Sequence, residues 1–391
     1  FRATAVAGAA AVLEVAGGDR QGAAVGTAVP VPPSVRVLDG AGNPVAGVVV
    51  RFDVRSGGGW IVADSVQTDA DGAARTIWYL GPSPGGPHAL RADAGIGLTA
   101  ELTAQAMPAD PALTYFGRND YIEYLPGTLP IIVSAAHGGH LLPDELPERS
   151  WGVTVRDTNT QELARQIAQA FVARTGRAPH IIISRLHRRK LDANRDIEEA
   201  AQGSFFAEWA WREFQGFIDV AKQAAAGAHG GGFYIDLHGH GHPNARLELG
   251  YLLRASELEL SDSVLDAASW LAEESSIRTL AARSPLPFAE LLRGEGSLGS
   301  GFERLGYPAV PSGPQPDPGG EPYFNGGYNT RRHGSMDGGP IDGVQIEAHY
   351  SDVRDTEASR AAFASALAEI LEVFLAEHYD VDIAGARLPG R

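Results

Sequence analysis

The stretch Phe233-Tyr-Ile-Asp-Leu-His-Gly-His-Gly-His242 decides how the rest of the chain reads. Residues 233–237 form a short run of aromatic and branched apolar side chains, the composition of a buried strand. The run ends in three histidines spaced two apart. In an open α/β sheet, ligands and catalytic groups gather just outside the carboxyl ends of the strands. Neutral imidazole is the commonest protein ligand for zinc. A strand that carries Asp236 and His238 to that edge is therefore a candidate metal site. The competing account is a polar loop that happens to be rich in His and Gly.

Outward from this strand, residues 115–381 alternate between strand-like and helical patterns. Residues 129–134, 180–184, 247–253 and 343–348 read as strands. Residues 161–175, a long stretch ending near Ala226, and 258–274 read as helices. The closing helix, 356–378, sets Phe363, Leu367, Ile370, Leu371, Phe374 and Leu375 on one face. That alternation predicts an α/β/α layered domain with a largely parallel sheet. Residues 311–340, dense in Gly and Pro, read as a long loop, and loops of that length are often functional. Polar residues collect where the strands end: His137 and His140, Arg156 to Asn159, Arg188 to Asp196, Asp236 with His238, and Gln345 with Glu347. Each has a bland account alone, such as Asp157 capping a helix or the Arg188 segment being a solvated charge run. Five strand ends carrying such groups form a site pattern.

Composition narrows the function classes. The 391 residues are 44% hydrophobic and 8% aromatic, enough for two domains with cores of their own. No apolar run approaches the ~18 residues a membrane helix needs. The net charge of −16 opposes binding to a polyanion such as nucleic acid. There is no cysteine, so disulfides and thiolate chemistry are excluded.

Residues 1–107 show short strand-like runs at 11–15, 34–38, 48–54, 74–80 and 98–106, separated by Gly-, Pro- and Asp-rich turns. Such spacing predicts an antiparallel β-sandwich. The segment Phe1-Arg-Ala-Thr-Ala-Val-Ala echoes Leu102-Thr-Ala-Gln-Ala-Met-Pro, which predicts that Phe1 continues from an upstream module of the same kind. A proline-rich linker, residues 108–114, separates this module from the α/β domain, and residues 382–391 form a tail.

Two resemblances follow from these residues. The run Val35-Arg-Val-Leu-Asp-Gly-Ala-Gly-Asn-Pro-Val-Ala-Gly-Val48, with Arg51-Phe-Asp-Val and Thr68-Asp-Ala-Asp-Gly-Ala73, resembles bacterial immunoglobulin-like domains of adhesins. The second domain resembles the N-formylglutamate amidohydrolase family, with its zinc-carboxypeptidase-like fold. Its blocks are Ser134-Ala-Ala-His137-Gly-Gly, Asp157-Thr, Arg188 with Asp192 and Asn194-Arg195, Asp236-Leu-His238, and Gly326-Gly-Tyr-Asn-Thr330-Arg-Arg-His333-Gly334 followed by Val344-Gln-Ile-Glu347.

The second resemblance implies a Zn2+ site with His137 and His238 as imidazole ligands and Asp157 as the carboxylate between them. The carboxypeptidase pattern has a Glu three residues after the first histidine, where this chain has His140. Asp144, Asn159 and Glu162 therefore stay open as third ligands beside the preferred Asp157. Glu347 would be the general base and Arg188 the group that polarises the scissile carbonyl. Asn194 and Arg195 would hold a substrate carboxylate, and Arg331 and His333 would contact substrate from the Gly-rich loop. Asp236, and likewise Asp192, would orient ligands from behind. His240, His242 and Arg246 are additions that could alter specificity, bind a second cation, or do nothing.

The expectation is an extracellular, cell-surface or periplasmic zinc amidohydrolase that cleaves an amide beside a free carboxylate. The immunoglobulin-like module would be a spacer or would contact the cell surface or polysaccharide. A surface adhesin with an inert or ligand-binding domain is the rival, and a carbohydrate hydrolase built on paired acids leaves the histidines unexplained.

Overall fold

A computed structural model of the chain describes residues 7–95 and 97–384. The expected echo at Phe1 falls on residues 1–6, outside the described residues, as does most of the tail. The chain divides into two compact units, Phe1–Asp110 and Pro111–Arg391.

The first unit is all-β. One sheet has three strands, Ala10–Gly17, Ser34–Asp39 and Ala73–Arg75, and is antiparallel. A second orders five strands as Gln21–Ala24, Thr99–Met107, Gly85–Asp93, Val49–Ser56 and Ser65–Gln67. Its first pair is parallel, a departure from the antiparallel expectation. Buried Val35 and Val37 alternate with exposed Arg36, the period-two pattern of a strand with one face in a core. Residues 74–80, read as one strand, are two. Thr76, whose hydroxyl donates to the Ala63 carbonyl, ends the first, and Trp78–Leu80 pairs instead with Gly59–Ile61.

The second unit is built on a mixed eight-stranded sheet. Its strands are β1 (Tyr115–Phe116), β2 (Ile122–Leu125), β3 (Ile131–Ala135), β4 (His180–Ser184), β5 (Gly232–Gly239), β6 (Leu247–Gly250), β7 (Ala309–Val310) and β8 (Ile341–Ala348). They lie in the order β1-β2-β4-β3-β5-β8-β6-β7. The centre, β4-β3-β5-β8, is parallel, while β2 and β6 run antiparallel to their inner neighbours. The main helices are α1 (Thr160–Thr175), α2 (Phe205–His229), α3 (Tyr328–His333) and α4 (Glu357–Tyr379).

Strand alternation sorts the two faces. Phe233, Ile235 and Leu237 of β5 join Val344 and Ile346 of β8 in a core with Leu163, Ile167 and Phe171 of α1 and Phe363, Leu367 and Leu371 of α4. Ser134, Asp236, His238, Gln345 and Glu347, one residue out of phase, belong to the opposite face. That face is covered in part by α2 and α3. The helix expected at 258–274 is instead three short ones, Ala255–Leu258, Asp262–Ala267 and Ser269–Glu274. Ser261 and Ala268 leave helical geometry between them, and serine favours caps over helix interiors.

Ile235 is fully buried between α1 and its neighbour strands, whereas Val172 on α1 is 48% exposed. Urea denaturation of Ile235→Ala should show a loss of ~2–5 kcal/mol, against less than ~0.5 kcal/mol for Val172→Ala.

Candidate metal centre

The parallel register of β5 sets Asp236 beside Ser134 on β3 and Gln345 on β8, and His238 beside Glu347. His137 follows the end of β3, and the loop before α1 brings in Asp157. Asp157 was open to a helix-capping account. Its backbone carbonyl does accept from the Thr160 hydroxyl, but its carboxylate turns to the two imidazoles. Asn159, in the left-handed region at φ 68°, makes the sharp entry into α1.

His137, Asp157 and His238 are buried, and their ligating atoms converge within 4.8 Å. Asp157 Oδ2 lies 3.4 Å from His137 Nδ1 and 3.0 Å from His238 Nδ1. The far nitrogens are held from behind. His137 Nε2 is 2.6 Å from Asp192 Oδ1, and His238 Nε2 is 3.1 Å from Asp236 Oδ1. A carboxylate only accepts, so Asp192 fixes the hydrogen of His137 on Nε2 and leaves Nδ1 as a lone pair. That Nδ1 is buried and, among the described residues, has no hydrogen-bond partner. Two ligands each ~2.0–2.1 Å from a tetrahedral ion lie about 3.3 Å apart, which matches the separations around Asp157 Oδ2. An orphaned buried nitrogen facing a buried carboxylate is what a cation between them would relieve. The residues fit a metal ion.

Electrostatics agree. Burial opposes charge on His238, but Asp236 and Asp157 on either side hold its imidazole well above the usual range. Burial likewise opposes charge on Asp157, and His137 and His238 hold it well below the carboxylate range. Glu347, opposite His238 across the ladder, is buried, and that burial pushes its carboxyl up to about 8. His238 offsets part of the rise, while Asp157, Glu248 and Asp236 add to it. Gln345 Nε2 donates to Glu347 Oε1 at 3.0 Å.

All four residues line one cleft of about 450 Å³. Arg188 also lines it. Its Nε donates to Asp192 Oδ2 at 2.9 Å, and Nη1 lies 3.8 Å from Asp157 Oδ1. Arg195 reaches the cleft while paired with Glu199 at 3.1 Å. Asn194 lines it too, but its amide is occupied: Nδ2 lies 3.1 Å from His238 Nε2, and Oδ1 accepts from the Asn329 amide at 2.7 Å. It positions the imidazole and the Gly-rich segment. A Cβ on Gly327 would meet the Asn194 side chain at 2.5 Å, so the close approach requires glycine there.

Arg331 and His333 lie apart from these residues. The Gly-rich segment folds into α3, and neither residue lines the cleft. Arg331 is exposed with Nη1 against Met336 Sδ, and His333 is fully buried, 2.6 Å from Gln215 Oε1 and against the Tyr234 ring. Among the open third ligands, Glu162 accepts from Gln161 Nε2 at 2.9 Å, Asn159 donates to the Arg354 carbonyl, and Asp144 is exposed; His140, at the departure from the family pattern, bonds to Gln161. Sequence reasoning gave no role to Arg156 and did not single out Phe324, Tyr350 or Arg354, all of which line the cleft. Arg156 was within reach, standing beside Asp157; the others lie on loops whose course no local pattern reveals.

No protein-family model and no curated relative matches this chain by sequence. Among solved structures, an N-formylglutamate amidohydrolase from Ralstonia eutropha JMP134 is similar at 12% identity over 66% of this chain and 97% of its own, with a TM-score of 0.38. The D00-D0 domain of intimin is similar at 22% identity over 26% of this chain, with a TM-score of 0.20. Invasin, a bacterial integrin-binding protein, is similar at 21% identity over 32% of this chain, with a TM-score of 0.21. This chain spans 47% of the intimin fragment and 23% of the invasin structure.

Asp192→Asn and Asp236→Asn leave His137, Asp157 and His238 in place but disturb what orients the imidazoles. Each should weaken zinc binding by ~10–100-fold in a chelator competition. Unchanged affinity in both would show that the carboxylates behind the histidines do not serve a metal.

Proposed function

We propose that the chain is a zinc-dependent hydrolase that cleaves an amide next to a free carboxylate, in an N-acyl amino acid or an extracellular peptide-like substrate. One observation carries this reading: the orphaned Nδ1 of His137 and the Nδ1 of His238 converge on Asp157 in the same cleft as the buried Glu347.

His137, Asp157 and His238 would hold the ion. When bound, zinc supplies Lewis acidity and brings the pKa of a water down toward ~7. Glu347 takes the proton of the attacking water. A carboxyl whose burial raises its pKa is a stronger base, matched to a proton released near neutral pH. Arg188, tied at Nε to Asp192 and with Nη1 3.8 Å from Asp157 Oδ1, sets its guanidinium at the site for the carbonyl oxygen as negative charge develops there. Arg195 and Arg156, both on the cleft wall, supply the guanidinium groups that favour a substrate carboxylate. Asn194 and Asp236 keep the His238 ring in place.

The β-sandwich unit fits a spacer that presents this domain at the cell surface, in contact with surface polymers. That assignment rests on the sequence resemblance of residues 35–73 to adhesin modules.

Glu347→Gln should bind zinc at wild-type stoichiometry by elemental analysis and lose ~10²–10⁴-fold in turnover of N-acyl amino acids or muropeptides. Full activity in that variant would remove Glu347 from the mechanism. Zinc-loaded wild type that turns over no amide would favour a ligand-binding domain instead.

A further inference from the structure

The histidine run continues past the metal group, and the mechanism above leaves its later members unused. After β5 the chain turns through His240, Gly241 and His242 and enters β6, where Glu248 stands opposite Glu347 across the antiparallel ladder. Glu248 is fully buried, and its ion-pair partners among the described residues are His240 and His242. Its Oε2 accepts from the Phe324 amide at 2.8 Å, and its Oε1 lies 2.8 Å from His242 Nδ1. The carboxylate therefore fixes the hydrogen of His242 on Nδ1 and leaves Nε2 as the free end. The Phe324 ring stacks on the imidazole, 4.6 Å between centroids and 14° between planes. Tautomer and ring plane are both set, on a turn that Gly241 would otherwise leave loose. The His242 side chain keeps 21% of its exposure, and both His242 and Phe324 line the metal cleft.

A second cation is the first alternative, since ligand atoms of His240, His242 and Glu248 lie within 4.8 Å of one another. His240 argues against it. Its Nε2 donates to the Arg246 carbonyl at 2.8 Å, and its Nδ1 accepts from the His242 amide at 3.1 Å. With both nitrogens occupied, only two ligands remain, one fewer than a catalytic site needs. A buried carboxylate behind an imidazole that opens to a cleft is instead the arrangement of a proton-transfer histidine.

We propose that His242, oriented by Glu248 and Phe324, is a second proton-transfer residue of this site, the acid that protonates the departing amine. The inference rests on the amide-hydrolase reading. An amine does not leave as its anion, so cleavage needs a proton at nitrogen. The water oxygen bonds to the carbonyl carbon and its proton passes to Glu347. The C–N bond then breaks, its electron pair stays on nitrogen, and that nitrogen takes the Nε2 proton of His242, which enters the step as imidazolium and leaves it as the neutral ring with its hydrogen on Nδ1 toward Glu248. Solvent removes the proton from Glu347 and returns one to His242, so the sum is amide plus water to acid plus amine. The titratable groups facing His242 are Glu248 and His240, with Glu347 beyond Glu248 and His349 beyond His240.

The test is His242→Gln in the full zinc-loaded chain, on two substrates with one acyl part, an alkylamide and a p-nitroanilide. The alkylamide kcat should fall ~10²–10⁴-fold. The anilide, whose amine leaves with little help, should fall less than ~10-fold, and the alkaline limb of the alkylamide pH profile should disappear. Equal losses on both substrates, a rise in KM alone, or no change would overturn the assignment. Loss of a second bound zinc in the variant would overturn it in favour of a cation site. Inactive wild type would overturn the hydrolase reading itself, and this inference with it.

Discussion

The site depends on a single constraint: charges taken out of water must be paired. Asp157, Asp192, Asp236 and Glu347 are all buried around His137 and His238. An isolated carboxylate in such surroundings would take up a proton rather than stay charged. Asp157 and Asp236 stay ionised because the imidazoles lie within about a hydrogen-bond length, and burial without as close a partner is what lifts Glu347. The same buried acids thus divide into carboxylates held low and one pushed up, by burial, by distance to the histidines and by the neighbouring acids.

The sheet makes this pairing possible. Parallel β3, β5 and β8 align Ser134 with Asp236, Asp236 with Gln345, and His238 with Glu347, so residues far apart in sequence share one polar face. The opposite face is continuous hydrocarbon against α1 and α4. A slip of one residue in β8 would exchange Glu347 for Ile346 and place a carboxylate in that core. Burial of the apolar face therefore fixes the register that assembles the polar one.

How much of this was legible follows from how local each signal is. The strand 233–237 and its polar exit are written in contiguous residues, and Asp236 and His238 were readable from period two alone. Glu347, Asp157 and Arg188 needed the resemblance of whole blocks, because no local pattern says that β8 lies beside β5. The placement of Arg331 and His333 was hidden for a related reason: the Gly-rich segment gives no hint that residues 328–333 close into a helix with His333 buried against Tyr234. In the β unit, Gly and Pro at the start of Gly85–Asp93 concealed a full-length strand. Thr76 concealed a change of sheet, since its partners lie 13 residues away.

The pairing of Glu248 with Glu347 carries the argument one step further. Like charges directly opposite in a ladder destabilise a sheet, and two buried acids there cost more than two aliphatic residues of similar volume would. Glu248 is tolerated because His242 and the Phe324 amide satisfy its oxygens, and Glu347 because its raised pKa lets it carry a proton. Neither arrangement helps the fold. Each keeps a polar side chain at the wall of the cleft, His242 held there by Glu248 and Glu347 standing there itself. A sheet built only for stability would have no use for them there, and local conflict with stability is where function is expected to sit.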